Sequence, residues 1–269
     1  MSILFLLLSA LLFNSQAQAA MQQQAVSYID GDTTLQGQLY REESYEGKRP
    51  GVLILPELWG MSDYVLLRAE MLAELGYVTL AADLYGNKVV TSKPEVAANW
   101  QKKLLAAPDT GQRRAMLALK ALKAHPNVDP KRLAIIGYSL GGNLALNMAY
   151  QGTDVKGVSV FHTDLQAPTP KQASGIKTRI LIAQPGYNTS ISAVMDDISK
   201  VMTTHEVDWE LNIYGGAKGS FSNPYADAYG LNDLEYHESS NKRSWSRLLM
   251  FFEEIFDENF DALFEDEKI

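Results

Sequence analysis

Gly137-Tyr138-Ser139-Leu140-Gly141 places a serine hydroxyl inside a G-x-S-x-G pattern. Apolar Leu133-Ala134-Ile135-Ile136 precedes it, and helix-compatible Asn143-Leu144-Ala145-Leu146-Asn147-Met148 follows. Strand, tight turn and helix form the context in which this pattern presents a serine as a nucleophile. The glycines allow the sharp turn and leave space around the side chain. The plainer alternative is a glycine-rich turn whose serine caps the helix. A serine hydroxyl attacks well only when a base removes its proton, so the chemistry depends on partners.

Candidate bases are few. The chain has four histidines and no cysteine, which excludes a thiolate nucleophile, disulfides, a lipobox anchor and thiolate metal sites. His125, before Pro126, and His205, in the polar turn before Trp209, read as structural or surface residues. His162 ends an apolar strand, on the sheet edge where such folds build their sites. His237 lies within Glu235-Tyr236-His237-Glu238, either a solvated loop residue or a base brought over the pocket and oriented by a flanking acid. Glu57 stands beside Leu58-Trp59, apolar neighbours that disfavour the charged carboxylate and raise its proton affinity. Without H-x-H or H-E-x-x-H spacing no metal is expected, and no cofactor is indicated.

The elements that must position these groups alternate along the chain. Residues 25–40 alternate apolar and polar around Asp30-Gly31-Asp32, which predicts a hairpin. Strands are expected at residues 51–55, 77–82, 133–137, 155–161, 179–183 and 209–214. Helices are expected from Ser62 or Asp63 to Gly76, over residues 93–123 and over residues 191–204. A final amphipathic helix puts Trp245, Leu248, Leu249, Phe252, Ile255 and Phe256 on one face. Apolar strands alternating with helices imply an α/β fold, with a mostly parallel central sheet covered on both faces and an antiparallel N-terminal hairpin.

Composition agrees with one globular domain over residues 20–269: of 269 residues, 46% are hydrophobic and 21% charged. The apolar stretch from Ile3 to Phe13 is too short to span a bilayer and leads to Ala17-Gln18-Ala19. Residues 1–19 therefore read as a signal peptide, which predicts a periplasmic or secreted protein, with a buried N-terminal helix as the alternative. No other segment is apolar enough to cross a membrane. A net charge of −8 without a basic cluster argues against nucleic acid as a partner. The acidic residues from Glu253 to Glu267 read as a solvated helix face.

Several segments together resemble the dienelactone hydrolase family of α/β-hydrolases. They are Pro56-Glu57-Leu58-Trp59-Gly60, Ala81-Ala82-Asp83-Leu84-Tyr85-Gly86, the serine segment through Gly142, Phe161-His162, Tyr214-Gly215-Gly216-Ala217-Lys218, Ser222-Asn223-Pro224 and Arg243-Ser244-Trp245. The likeness runs from about Val26 to Ile255 in the family's order. It implies an α/β-hydrolase fold, a small-molecule ester or lactone substrate, Ser139 where the family usually has cysteine, and Glu57 paired with the resting nucleophile. It also implies an oxyanion hole formed by the backbone N–H groups of Leu58 and Leu140.

The departures are as informative. The loop that carries the family's histidine has Gly219 at that place, and the turn that carries its aspartate has Asn188. The arginines that hold a dienelactone carboxylate correspond to Asn87 or Lys88 and to Asn223, so only Lys88 keeps a positive charge. Trp59, Tyr85, Tyr187 and Phe221 are the side chains expected to line an aromatic pocket, with core packing as the alternative for each. Two readings follow. One is slow ester or lactone hydrolysis through Ser139 with Glu57, His162 or His237 as an unconventional base. The other is an inactive member that keeps the pocket for ligand binding or protein contact.

Overall fold

The structure, a computed structural model, describes residues 20–107, 109–187, 191–257 and 260. The expected signal peptide, Asn188 and the far end of the acidic C-terminal run lie outside the described residues.

Eight strands form one sheet: β1 (Met21–Asp30), β2 (Thr33–Glu42), β3 (Arg49–Leu55), β4 (Val78–Ala81), β5 (Val128–Tyr138), β6 (Gly157–Phe161), β7 (Arg179–Pro185) and β8 (Trp209–Tyr214). Their spatial order is β1-β2-β4-β3-β5-β6-β7-β8. The β1–β2 hairpin turns at Gly31-Asp32 and joins β4 antiparallel; all other pairings are parallel. The helices are α1 (Asp63–Glu74), α2 (Pro94–Ala106), α3 (Thr110–Lys123), α4 (Leu140–Tyr150), α5 (Pro170–Ala173), α6 (Ile191–Thr204) and α7 (Glu238–Phe256). A short 3-10 turn covers Ala226–Tyr229.

The central strands are apolar throughout because each face of the sheet has its own core. Leu53 and Leu55, Ile135, Val158 and Val160, and Ile180 and Ile182 face α3, α4 and α6. The alternate residues Val52 and Ile54, Ala134 and Ile136, Phe161, and Leu181 and Ala183 face α1 and α7. Successive strand residues point to opposite faces, so a sheet covered twice carries an unbroken hydrophobic run.

The helical region expected over residues 93–123 is two helices. Ala107 is extended (φ −92°, ψ 123°) and Asp109 is left-handed (φ 62°), which interrupts the helical backbone between α2 and α3. On α7 the buried stripe is Ser240, Ser244, Leu248, Phe251, Phe252 and Ile255. Phe251 replaces Leu249 in the buried stripe, and Trp245, Leu249 and Phe256 pack only partly buried at its margin.

Candidate active site

The carboxyl ends of β3, β5, β6 and β7 meet at one edge of the sheet, where an open parallel α/β sheet forms its ligand crevice. Ser139 occupies the turn between β5 and α4 with φ 50° and ψ −114°, a conformation that non-glycine residues avoid. The turn is tied to its neighbours. Ser139 N–H donates to Phe161 O at 3.0 Å, and Gly141 N–H donates to Pro56 O at 3.0 Å. A side chain on Gly141 would run into Leu55 O and stand 2.6 Å from Pro56 O, so the β3 end can approach only a glycine. The result is a nucleophile elbow, with the serine partly exposed at the sheet edge.

Ser139 opens into a cavity of about 610 Å³. His162, Thr163 and Asp164 line it after β6, Gln184, Pro185 and Tyr187 at the end of β7, and Lys218, Gly219, Ser220, Asp233 and Leu234 on the far wall. Neither the Leu58 nor the Leu140 amide donates a hydrogen bond to any of the described residues. The Ser139 hydroxyl likewise has no hydrogen-bond partner among the described residues.

Glu57, in the loop just after β3, is buried beneath this wall. One carboxylate oxygen accepts from Ser220 Oγ at 2.6 Å, and the other accepts from Asn223 Nδ2 at 2.7 Å. Burial pushes its carboxyl up to about 7, against the pull of the Ser220 and Asn223 hydrogen bonds. His162 lies next to it with Nδ1 3.9 Å from Glu57 Oε1. Burial drives this imidazole down to about 3, so it is neutral at physiological pH and the contact is not an ion pair. His162 Nε2 is 3.0 Å from Ser222 Oγ, which in turn meets Tyr64 OH at 2.6 Å. Its ring is held between Tyr138 and Phe221. His162 thus stands behind the cavity wall, with its side chain wholly buried and its Nε2 already committed to Ser222.

His237 does not come to the cavity. It caps α7, with Nδ1 accepting from Ser240 Oγ at 2.8 Å and from Ser240 N–H at 3.4 Å. Gly219 is on the cavity wall, where the resemblance implies an imidazole. The segment carrying Asp233 and Leu234 closes on it: Gly219 N–H donates to Asp233 O at 2.9 Å and Glu235 N–H donates to Gly219 O at 3.1 Å. His125 and His205 lie away from the cavity.

Of the five expected pocket side chains, only Tyr187 lines the cavity. Trp59 is fully buried and stacks on Tyr229 with ring centroids 3.8 Å apart. Phe221 is also fully buried, against His162 and Tyr214. Tyr85 OH donates to Leu58 O at 3.1 Å, bracing the loop after β3. Lys88 Nζ donates to Gln38 Oε1 at 3.0 Å, across the hairpin. Alternating polar and apolar composition cannot say whether an aromatic ring ends in a cavity or in the core, and here the core takes two. Sequence reasoning missed the Ser220–Glu57–Asn223 contacts; Ser220 carries no distinguishing pattern except its place after Gly219. Among the described residues no group of acidic and histidine side chains could hold a metal ion.

Sheet order, elbow and crevice together define an α/β-hydrolase. The sequence profile of the dienelactone hydrolase family matches residues 35–256, and the chain belongs to that family. A solved structure titled m3DLH superposes with a TM-score of 0.82 at 34% identity, covering 88% of this chain and all of the other. A dienelactone hydrolase-like promiscuous phosphotriesterase from metagenomic libraries gives 0.83 at 31% identity, with 88% and 99% covered. A protein of Saccharolobus solfataricus named "Putative carboxymethylenebutenolidase" is 26% identical, over 78% of this chain and 91% of its own length.

Proposed function

We propose that the chain binds a small ester or lactone in the cavity beneath Ser139 and hydrolyses it slowly, with Ser139 attacking the carbonyl. The observation that carries this reading is the Ser139 backbone, held at φ 50° and ψ −114° at the mouth of the cavity. Such a conformation costs about 1–3 kcal/mol and persists only where the surroundings enforce it. The uncommitted Leu58 and Leu140 amides are the donors for the developing oxyanion. The rate is low because no base touches the serine. Amide donors and binding alone leave roughly 10³-fold catalysis over water in a serine hydrolase stripped of its triad.

The substrate is neutral rather than anionic. Lys88 is spent on Gln38, Lys218 is 2.5 Å from Glu235, and Asp164 and Asp233 add negative charge to the wall. Ester hydrolysis by the mature protein, compared with Ser139→Ala, tests the reading: equal rates refute it. A second reading, ligand binding without turnover, is favoured by the closure of Leu234 on Gly219. It requires calorimetric binding of a neutral ester with no product formed. We infer from the apolar stretch Ile3 to Phe13 before Ala17-Gln18-Ala19 that residues 1–19 are a cleaved leader. The chain then acts in the periplasm or outside the cell, checked by N-terminal sequencing of the chain purified from cells.

A further inference from the structure

Ser220 is buried in the wall of the same cavity that Ser139 opens into, and the Ser139 reaction gives it no task. Unlike Ser139, it already donates its hydroxyl proton to a carboxylate, at 2.6 Å from Glu57 Oε1. Nucleophile and base within about 2.6–3.2 Å, with the base held by a third group, is the arrangement that activates a serine. Asn223 supplies that third contact, 2.7 Å from the other oxygen of Glu57, while its own Oδ1 accepts from Tyr225 N–H at 2.9 Å. Ser220 also has a left-handed backbone, φ 54°, as Ser139 does at φ 50°. Strained serines of this kind cluster where a side chain must be aimed.

We propose that Ser220 is a second nucleophile of this cavity, with Glu57 as its general base and Asn223 orienting the carboxylate. The proposal rests on the cavity taking a neutral ester but not on attack by Ser139. Ser220 Oγ forms a bond to the ester carbonyl carbon as its proton passes to Glu57 Oε1. The tetrahedral adduct then breaks its bond to the leaving alkoxide, which takes the proton from Glu57. Water attacks the acyl-Ser220 ester, again giving a proton to Glu57, and that proton returns to Ser220 Oγ as the acid departs. No oxidant, metal or co-reactant enters the balance.

The titratable groups facing Glu57 do not compete for this role. His162 is neutral, Tyr64 and Tyr138 are pushed above the ordinary tyrosine range by burial, and Tyr229 is pushed to about 12. Arg68, also buried nearby, donates to Ser222 O at 2.9 Å.

Diisopropyl fluorophosphate on the full chain separates the two serines, because it phosphorylates an activated hydroxyl and releases fluoride and a proton. Tryptic cleavage puts Ser139 in residues 133–156 and Ser220 in residues 219–242. Fragmentation then distinguishes Ser220 from Ser222, Ser239 and Ser240. The expected result is an adduct on Ser220 in the wild type and in Ser139→Ala. Its formation rate rises with pH around a midpoint near 7 and falls at least about tenfold in Glu57→Gln. An adduct on Ser139 alone overturns the proposal and leaves the Ser139 reading intact. An adduct on neither serine overturns it too, and the Ser139→Ala ester assay then decides the first reading independently. Labelling of Ser220 that survives Glu57→Gln removes Glu57 as the base.

Discussion

Leu234 fills the space in front of Gly219: its Cδ2 lies 2.7 Å from where a Cβ on residue 219 would stand. The contact is fixed on both sides. Backbone bonds join residue 219 to Asp233 and Glu235, and Leu234 packs with Trp59 and Tyr229. The glycine that removes a side chain from the cavity wall is therefore also what lets this segment close.

Gly219→His alone is expected to lower stability without restoring efficient catalysis. A new side chain meets Leu234 and stands 3.1 Å from the Asp233 carbonyl oxygen, an overpacking that costs about 1–3 kcal/mol. Combining it with Leu234→Ala and Asn188→Asp gives the imidazole room and an acid. That triple variant should raise kcat/KM for p-nitrophenyl acetate at least tenfold, about 1.4 kcal/mol of barrier. No gain in a folded triple variant shows that residue 219 does not correspond to the family's histidine.

Ser139→Gly should raise Tm relative to Ser139→Ala, although both remove the hydroxyl. Alanine inherits the strain at φ 50°, ψ −114°, whereas glycine adopts it freely. Relief of about 1 kcal/mol corresponds to roughly 2–4 °C in a domain of this size. Equal Tm values in the two variants mean that the elbow stores no strain.

Gly141→Ala is expected to be worse tolerated than either. Its Cβ would overlap the backbone carbonyl of Leu55 and lie 2.6 Å from that of Pro56, atoms that cannot rotate away. The loss lies at the upper end of about 1–3 kcal/mol, read as a lowered midpoint in urea. An unchanged midpoint would show that β3 and the elbow move apart readily.

The sheet and the elbow were legible in the chain because their signals are local. Val52 to Leu55 and Ala134 to Ile136 read as buried strands whatever lies beyond them, and Ser139 is flagged by the glycines on either side. The partners of Glu57 were not legible, since Ser220 and Asn223 lie 163 and 166 residues away and only the sheet order brings them together. Lys88 and Trp59 show a different limit. Their types suit a binding pocket, but the direction of each side chain is set by the hairpin and by Tyr229, which no local pattern encodes.

The pH dependence of stability should separate Glu57 from its neighbour. Burial raises the Glu57 carboxyl from 4.5 to about 7. A folded group that binds its proton more tightly than the unfolded one stabilises at low pH. This contribution is complete below about pH 4.5 and is lost as pH rises through about 7. A gap of that size corresponds to about 3 kcal/mol. His162, lowered from 6.5 to about 3 by burial, acts in the opposite direction: its contribution is present above 6.5 and lost as pH falls toward 3. The two slopes oppose each other between about 4.5 and 6.5, and only the Glu57 loss remains above that window. Glu57→Gln also disturbs the Asn223 hydrogen bond, which adds an offset that does not vary with pH. Subtracting wild-type from variant Tm at each pH removes His162 and isolates Glu57. The difference should rise from pH 5 to about pH 7 and level off by pH 8, in favour of the variant. A constant difference across that range would mean that Glu57 is ionised throughout, and the Ser220–Glu57 contact would then join a hydroxyl to a permanent carboxylate.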